Sequence, residues 1–321
     1  MRTKMLVGAA LVACTAVLPV VAATPAEAGS AARSASPTAI SATAPCGSLA
    51  TSTPPATFAH VVWILYENKT RSAVMTSPQA PYIQSIAHNC GEATNWNDLS
   101  TTSLANYIAM TSGSLGSSGE ITSNRSPKVW PQSQVSMFEQ LGTAGRQLNE
   151  SMPSNCYLKG SGDFEVDHAP MQYYTRIRTT LCPTQSVPLN LSAPDLSAKL
   201  TVIIPNKVDD MHKSPQTPTL ADRIAAGDQW TSKFLPTVLA SPQYQAGNTV
   251  VILTWDEAIG KAHNVPFVVI SPYTAAGTTS SKFYNHYSLL RTTQNMLGIT
   301  QYLGHAADST TGNFRTDFHL G

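Results

Sequence analysis

The chain is 321 residues long, only 12% of them charged, with a formal net charge of +1. Arg2, Lys4 and Glu27 carry that single charge within the first 28 residues, so the remainder is near neutral. Such a balance argues against a polybasic surface, so neither nucleic acid nor anionic lipid is expected as a charge-driven partner.

Arg2 and Lys4 precede the apolar run "MLVGAALVACTAVLPVVAA", and "AEA" at 26–28 supplies small residues for cleavage. Residues 1–28 are therefore expected to be a secretory signal peptide, and the protein extracellular. "LVAC" at 11–14 resembles a bacterial lipobox with Cys14 as the lipidated residue, the minor alternative, because the apolar run continues well past it. No stable membrane anchor is expected. Residues 29–57 are mostly Ala, Ser, Thr and Pro, too poor in apolar surface to offset the entropy of ordering, which predicts a flexible leader. Residues 58–321 then form one domain. Cys46, Cys90, Cys156 and Cys182 are an even set in an exported chain, at spacings wrong for zinc. They predict two disulfides, with the sequential pairing Cys46–Cys90 and Cys156–Cys182 favoured among the three possible.

Four apolar runs read as strands buried on both faces: 60–66 "HVVWILY", 200–205 "LTVIIP", 248–255 "NTVVILTW" and 266–271 "PFVVIS". Helical patterns fall at 80–89, 104–111, 135–147, 219–240 and 286–297. The segments 113–134 and 150–198 read as loops or insertions. Alternating strands and helices predict an α/β sandwich around a largely parallel sheet, with ligands at the carboxyl ends of its strands.

Three of those ends are rich in oxygen. Glu67 and Asn68 follow the first run, Asn206, Asp209, Asp210 and His212 the second, Asp256 and Glu257 the third. One acid at a strand end is ordinary solvation; three ends aimed at one edge suit a hard divalent cation. Glu67, Asn68, Asp256 and Glu257 are the candidate ligands, for Mg²⁺, Ca²⁺ or Mn²⁺ alike. In "STTSLANYIAMTSG" (100–113), Thr102 or Ser103 begins a helix, where free N–H groups favour an anion. A hydroxyl there is a candidate phosphoryl nucleophile, although helix capping alone explains the same residues. His168, His212 and His286 sit in polar stretches where they could bind phosphate or protonate a leaving group. His60, His88, His305 and His319 read as surface residues, and His263 stays undecided.

Together, "HVVWILYENKT", "TTSLANYIAMTSG", "MPSNCY", "HAPMQYY", "IPNKVDDMH", "TVVILTWDE", "VPFVVISPY" and "NHYSLLRTTQNMLGI" give the chain a family resemblance. Over about 58–318 it resembles the secreted bacterial phosphoesterases, including acid phosphatases and, more distantly, phosphocholine-specific phospholipases C, of the alkaline phosphatase-like superfamily. The resemblance implies an alkaline phosphatase-like α/β/α sandwich. It implies a metal site of Glu67, Asn68, Asp256 and Glu257, and Ser103 as nucleophile. His212 and His286 would assist catalysis, while His168, Asp210 and Asn106 would line the phosphate pocket. Thr101, Thr102 and Ala105 stand where the family has His, Pro and Pro, and Asp167 replaces a basic residue. The activity implied is hydrolysis of phosphate monoesters through a seryl phosphate, with phosphoinositide monophosphates among the substrates. A phospholipase C acting on a lipid headgroup diester, or a weakened binding protein of the same fold, is the alternative.

Overall fold

The computed structural model describes residues 40–41, 44–260 and 262–321. The signal peptide, Cys14 and the leader up to residue 39 lie outside the described residues. A compact unit spans Ala39–Gly321. Its strands are β1 (His60–Tyr66), β2 (Gly91–Ala93), β3 (Trp96–Asn97), β4 (Gly145–Asn149), β5 (Ser186–Pro188), β6 (Leu200–Ile204), β7 (Thr249–Trp255), β8 (Phe267–Ile270), β9 (Thr278–Ser280) and β10 (Tyr284–Asn285). Its helices are α1 (Arg71–Met75), α2 (Pro81–Asn89), α3 (Ser103–Ser112), α4 (Met137–Leu141), α5 (Cys182–Gln185), α6 (Leu220–Leu239), α7 (Pro242–Gln245) and α8 (His286–Met296).

Eight strands form one sheet in the order β5-β4-β6-β1-β7-β8-β2-β9, while β3 pairs with β10. The four apolar runs are β1, β6, β7 and β8, and β1 lies between β6 and β7, parallel to both. Residues an odd number apart on a strand face opposite ways. Accordingly, Trp63 Nε1–H of β1 donates to Thr293 of α8, and Tyr66 OH bonds Thr231 of α6. Helices therefore cover both faces. The helix α3 packs with α8 and α4, and α2 packs with α6. Gly113 ends α3 in the left-handed region (φ 75°), and a Cβ there would lie 2.2 Å from Leu303 O, so only glycine fits.

The structure corrects three expectations. First, β8 is antiparallel to both β7 and β2. Only residues 256–266 join β7 to β8, too short for the helical crossover that a parallel neighbour needs. Second, the helix expected over 135–147 stops at Leu141, because Gly142 turns left-handed (φ 58°), and the chain continues as β4. The polar Gln147 is buried in β4 because its Nε2–H donates to Asn149, Gln172 and Ser186 while its Oε1 accepts from Met171 N–H. Third, the described end of the leader is tied to the domain through polar groups and sulfur, and Ile40 packs against the core. Cys46 is bonded to Cys90, Tyr244 OH donates to Pro45 O, Leu49 N–H to Pro272 O, and Arg315 to Pro55 O and Ala56 O. The second disulfide joins Cys156 to Cys182, so both follow the sequential pairing.

Candidate active site

The segments after β1, β6 and β7 hold one another. Glu67 N–H donates to Asp210 O (2.8 Å), Asp256 N–H to Tyr66 O (2.9 Å), and Asn68 N–H to Asp256 Oδ1 (3.0 Å). Asn68 (φ 53°) and Met211 (φ 74°) are both left-handed, which turns the chain sharply just past Glu67 and Asp210. These two turns share one support. Lys69, 1% exposed, donates its Nζ–H to Asn68 O (3.0 Å) and Met211 O (2.5 Å). Burial, then the charge of Arg223, lowers the Lys69 ammonium to about 8. Gly227 leaves room for Met211, whose Cγ would lie 2.5 Å from a Cβ there.

Ser103, the first residue of α3, is 1% exposed, and its Oγ–H donates to Glu67 Oε2 at 3.1 Å. Thr102 is the N-cap, yet its side chain makes no capping bond. Between the two hydroxyls of the motif, only Ser103 reaches the acids. Glu67 Oε2 also accepts from Asn68 Nδ2–H (2.5 Å).

Glu67, Asp210 and Asp256 are fully buried and Glu257 is nearly so. Burial, then repulsion by Asp256, holds Glu67 well above the usual carboxylate range. Asp256 is raised by burial, and Glu257 by burial and then by Asp256 to about 9. His168 answers this charge. Its Nε2 lies 3.3 Å from Glu67 Oε1, its Nδ1 lies 3.3 Å from Asp210 Oδ2, and its ring stacks on Tyr107. Burial alone would lower this imidazole, but Glu67 and Asp210 outweigh it and hold the ring protonated. The His212 ring, half-buried, lies 5.9 Å from the His168 ring.

Two expected site residues are otherwise engaged. His286 Nε2–H donates to Asp256 O (2.5 Å), its Nδ1 accepts from Trp96 Nε1–H (3.4 Å), and burial lowers it to about 4. Both ring nitrogens are thus engaged, one of them on the backbone of Asp256. Asn106 Oδ1 accepts from Leu99 and Ser100 N–H, and its Nδ2–H donates to Ser100 O and Thr102 O. It fixes the turn into α3.

Sequence reasoning missed Lys69, which looks like an ordinary polar residue in "ENKT", and the pair Asp98–His263. Buried Asp98 accepts from Ala258 N–H (2.7 Å) and His263 Nδ1–H (2.6 Å), fastening the segment that follows Glu257.

Buried Asp256 Oδ2 and Glu257 Oε2 have no hydrogen-bond partner, whereas Glu67 Oε1 and Asp210 Oδ2 face the His168 ring at 3.3 Å. Such atoms are rare and point to a missing proton or cation. As the side chains stand, no three His, Cys, Asp or Glu among the described residues are arranged to hold a metal ion. The donor chemistry nevertheless fits one. Ionised, the four acids outnumber the His168 and Lys69 charges by two, and all offer hard oxygen.

A buried serine at a helix start, facing clustered acids at the carboxyl edge of a parallel sheet, suits phosphoryl chemistry. The sequence pattern of the phosphoesterase family matches residues 62–300, and the chain belongs to that family. It is a phosphoric ester hydrolase. Among its relatives, the phosphatidylinositol-3-phosphatase of Mycobacterium tuberculosis is 27% identical over 259 residues, 79% of this chain and 81% of the relative. A protein of the alkaline phosphatase superfamily from Vibrio parahaemolyticus shares the fold with a TM-score of 0.56 at 12% identity, over 83% of this chain and 74% of that one. A sulfatase from Pseudoalteromonas sp. gives 0.53 at 14%, over 82% and 72%. The fold is thus the alkaline phosphatase-like α/β/α sandwich.

Proposed function

We propose that this phosphatase is secreted, metal-assisted, and acts on phosphate monoesters through a phosphorylated Ser103. The observation that carries the reading is the 3.1 Å hydrogen bond from Ser103 Oγ to Glu67, at a helix start facing acids with unpartnered oxygens. Glu67, Asn68, Asp256 and Glu257 would hold the cation, and binding it exchanges the bonds that Asn68 and Ser103 now make to Glu67. When bound, such an ion lowers the pKa of a nucleophile and offsets charge on phosphoryl oxygens.

Ser103 gives up its proton to water, attacks phosphorus and displaces the ester oxygen; a further water then cleaves the Ser103–phosphate bond. Free N–H groups at the start of α3 and the His168 imidazolium offset the negative phosphoryl oxygens. His212, half-buried beside His168, gives a proton to the leaving oxygen. The name of the Mycobacterium relative favours phosphoinositide monophosphates as substrates. Secretion is supported by the two disulfides and by the signal-like first residues, and no helix among the described residues is long and apolar enough to cross a membrane.

Hydrolysis of p-nitrophenyl phosphate by the purified protein, with EDTA and after adding back Mg²⁺, Ca²⁺ or Mn²⁺, tests the reading. Activity should vanish with chelator and return with a divalent ion. Ser103→Ala should lose roughly a thousandfold or more in kcat while keeping its metal content. A variant that still turns over sinks the covalent scheme.

A further inference from the structure

We propose that a groove beside the active site docks the protein on the surface of an anionic phospholipid bilayer. The groove is a local feature that a near-neutral total charge hides.

 It encloses about 440 Å³ between residues 126–131 and 158–159, with Arg178 at its base.

Pro127, Pro131 and Leu158 give the groove an apolar lining, and Lys128, Lys159 and Arg178 are its charged side chains, with no acid among them. Lys128 and Lys159 are exposed, as is Arg125 nearby, and none of the three has a carboxylate within ion-pair distance among the described residues. Val129 and Leu158 project beside them, 57% and 40% exposed. Apolar side chains standing among unpaired cations match a bilayer surface, where the former enter the headgroup boundary and the latter meet anionic lipid.

The groove adjoins the site through its own walls. Asn124 Oδ1 accepts from Leu104 N–H, next to Ser103, and four residues span at most about 14 Å from Asn124 to Lys128. Arg178 donates to Pro127 O, Gln172 O and Tyr173 O, joining the groove to the segment that carries His168. A protein seated here holds its phosphoryl site close to lipid headgroups. This inference rests on the lipid-borne substrate of the proposed function, and it departs from the expectation that charge draws the chain to no anionic lipid.

The test is co-sedimentation of the purified protein with large vesicles of phosphatidylcholine alone, or with phosphatidylserine added. Binding should require phosphatidylserine and weaken with salt. The double variant Lys128→Gln/Lys159→Gln should bind about 30-fold more weakly, and Leu158→Asp should also lose affinity. Both should hydrolyse soluble p-nitrophenyl phosphate like the parent. Equal binding to neutral vesicles, no binding, or variants that bind like the parent overturn the proposal. So does polyglutamate binding as tightly with the same losses, which assigns the groove to an acidic protein. Failure of the parent on p-nitrophenyl phosphate strikes the phosphatase reading and leaves vesicle binding to be judged by itself.

Discussion

An ammonium group buried among carboxylates needs fixed partners, and Lys69 finds them in the carbonyls of two left-handed residues, Asn68 and Met211. Those residues adjoin Glu67 and Asp210, so one side chain holds the turns that present both acids. Lys69→Met keeps the length and removes the donors, leaving two carbonyls unpaired at a cost of roughly 2–4 kcal/mol. Urea denaturation should show that loss, and an unchanged midpoint would refute the role. Glu67, Ser103 and Asp256 could be proposed from the sequence because strand ends and a helix start mark them. The sequence could not reveal Lys69 or the engagement of His286, because burial and partners come from distant segments: Met211 for Lys69, Trp96 for His286.

At the scale of elements, the entry to α3 decides where the Ser103 hydroxyl points. Asn106 ties Leu99, Ser100 and Thr102 to the first turn through its amide. Asn106→Leu fills similar space but strands two N–H donors, so it should cost about 2–4 kcal/mol and lower kcat as Ser103 shifts. Denaturation and p-nitrophenyl phosphate kinetics check both, and unchanged kcat in a folded variant would remove Asn106 from the positioning of Ser103. The long apolar strands were legible because each is buried on both faces. The direction of β8 was not, since burial reads the same for parallel and antiparallel neighbours. Nor was β4, whose polar Gln147 is satisfied only by residues brought from elsewhere.

For the whole molecule, the buried acids set how stability follows pH. Glu257, raised from 4.5 to about 9, keeps a proton in the folded state that the unfolded chain releases. Stability therefore falls as the pH rises through that interval, and the raised Glu67, Asp256 and His168 act in the same direction. His286, lowered from 6.5 to about 4, acts oppositely between those values, because only the unfolded chain takes up the proton. Melting in EDTA should therefore show Tm falling from about pH 7 to about pH 9, and added Mn²⁺ should flatten the fall. A fall that no divalent ion alters would count against cation binding by these acids.

The Cys46–Cys90 bond closes a loop of 44 residues around the whole of β1, the central strand that ends in Glu67. In the chain-entropy account, closing such a loop is worth about 4 kcal/mol, near a thousandfold in the ratio of folded to unfolded molecules. Thiol-reducing surroundings would forfeit that factor. The redox state in which the chain folds is thereby coupled, through a single strand, to how much of it can present an acid to phosphate.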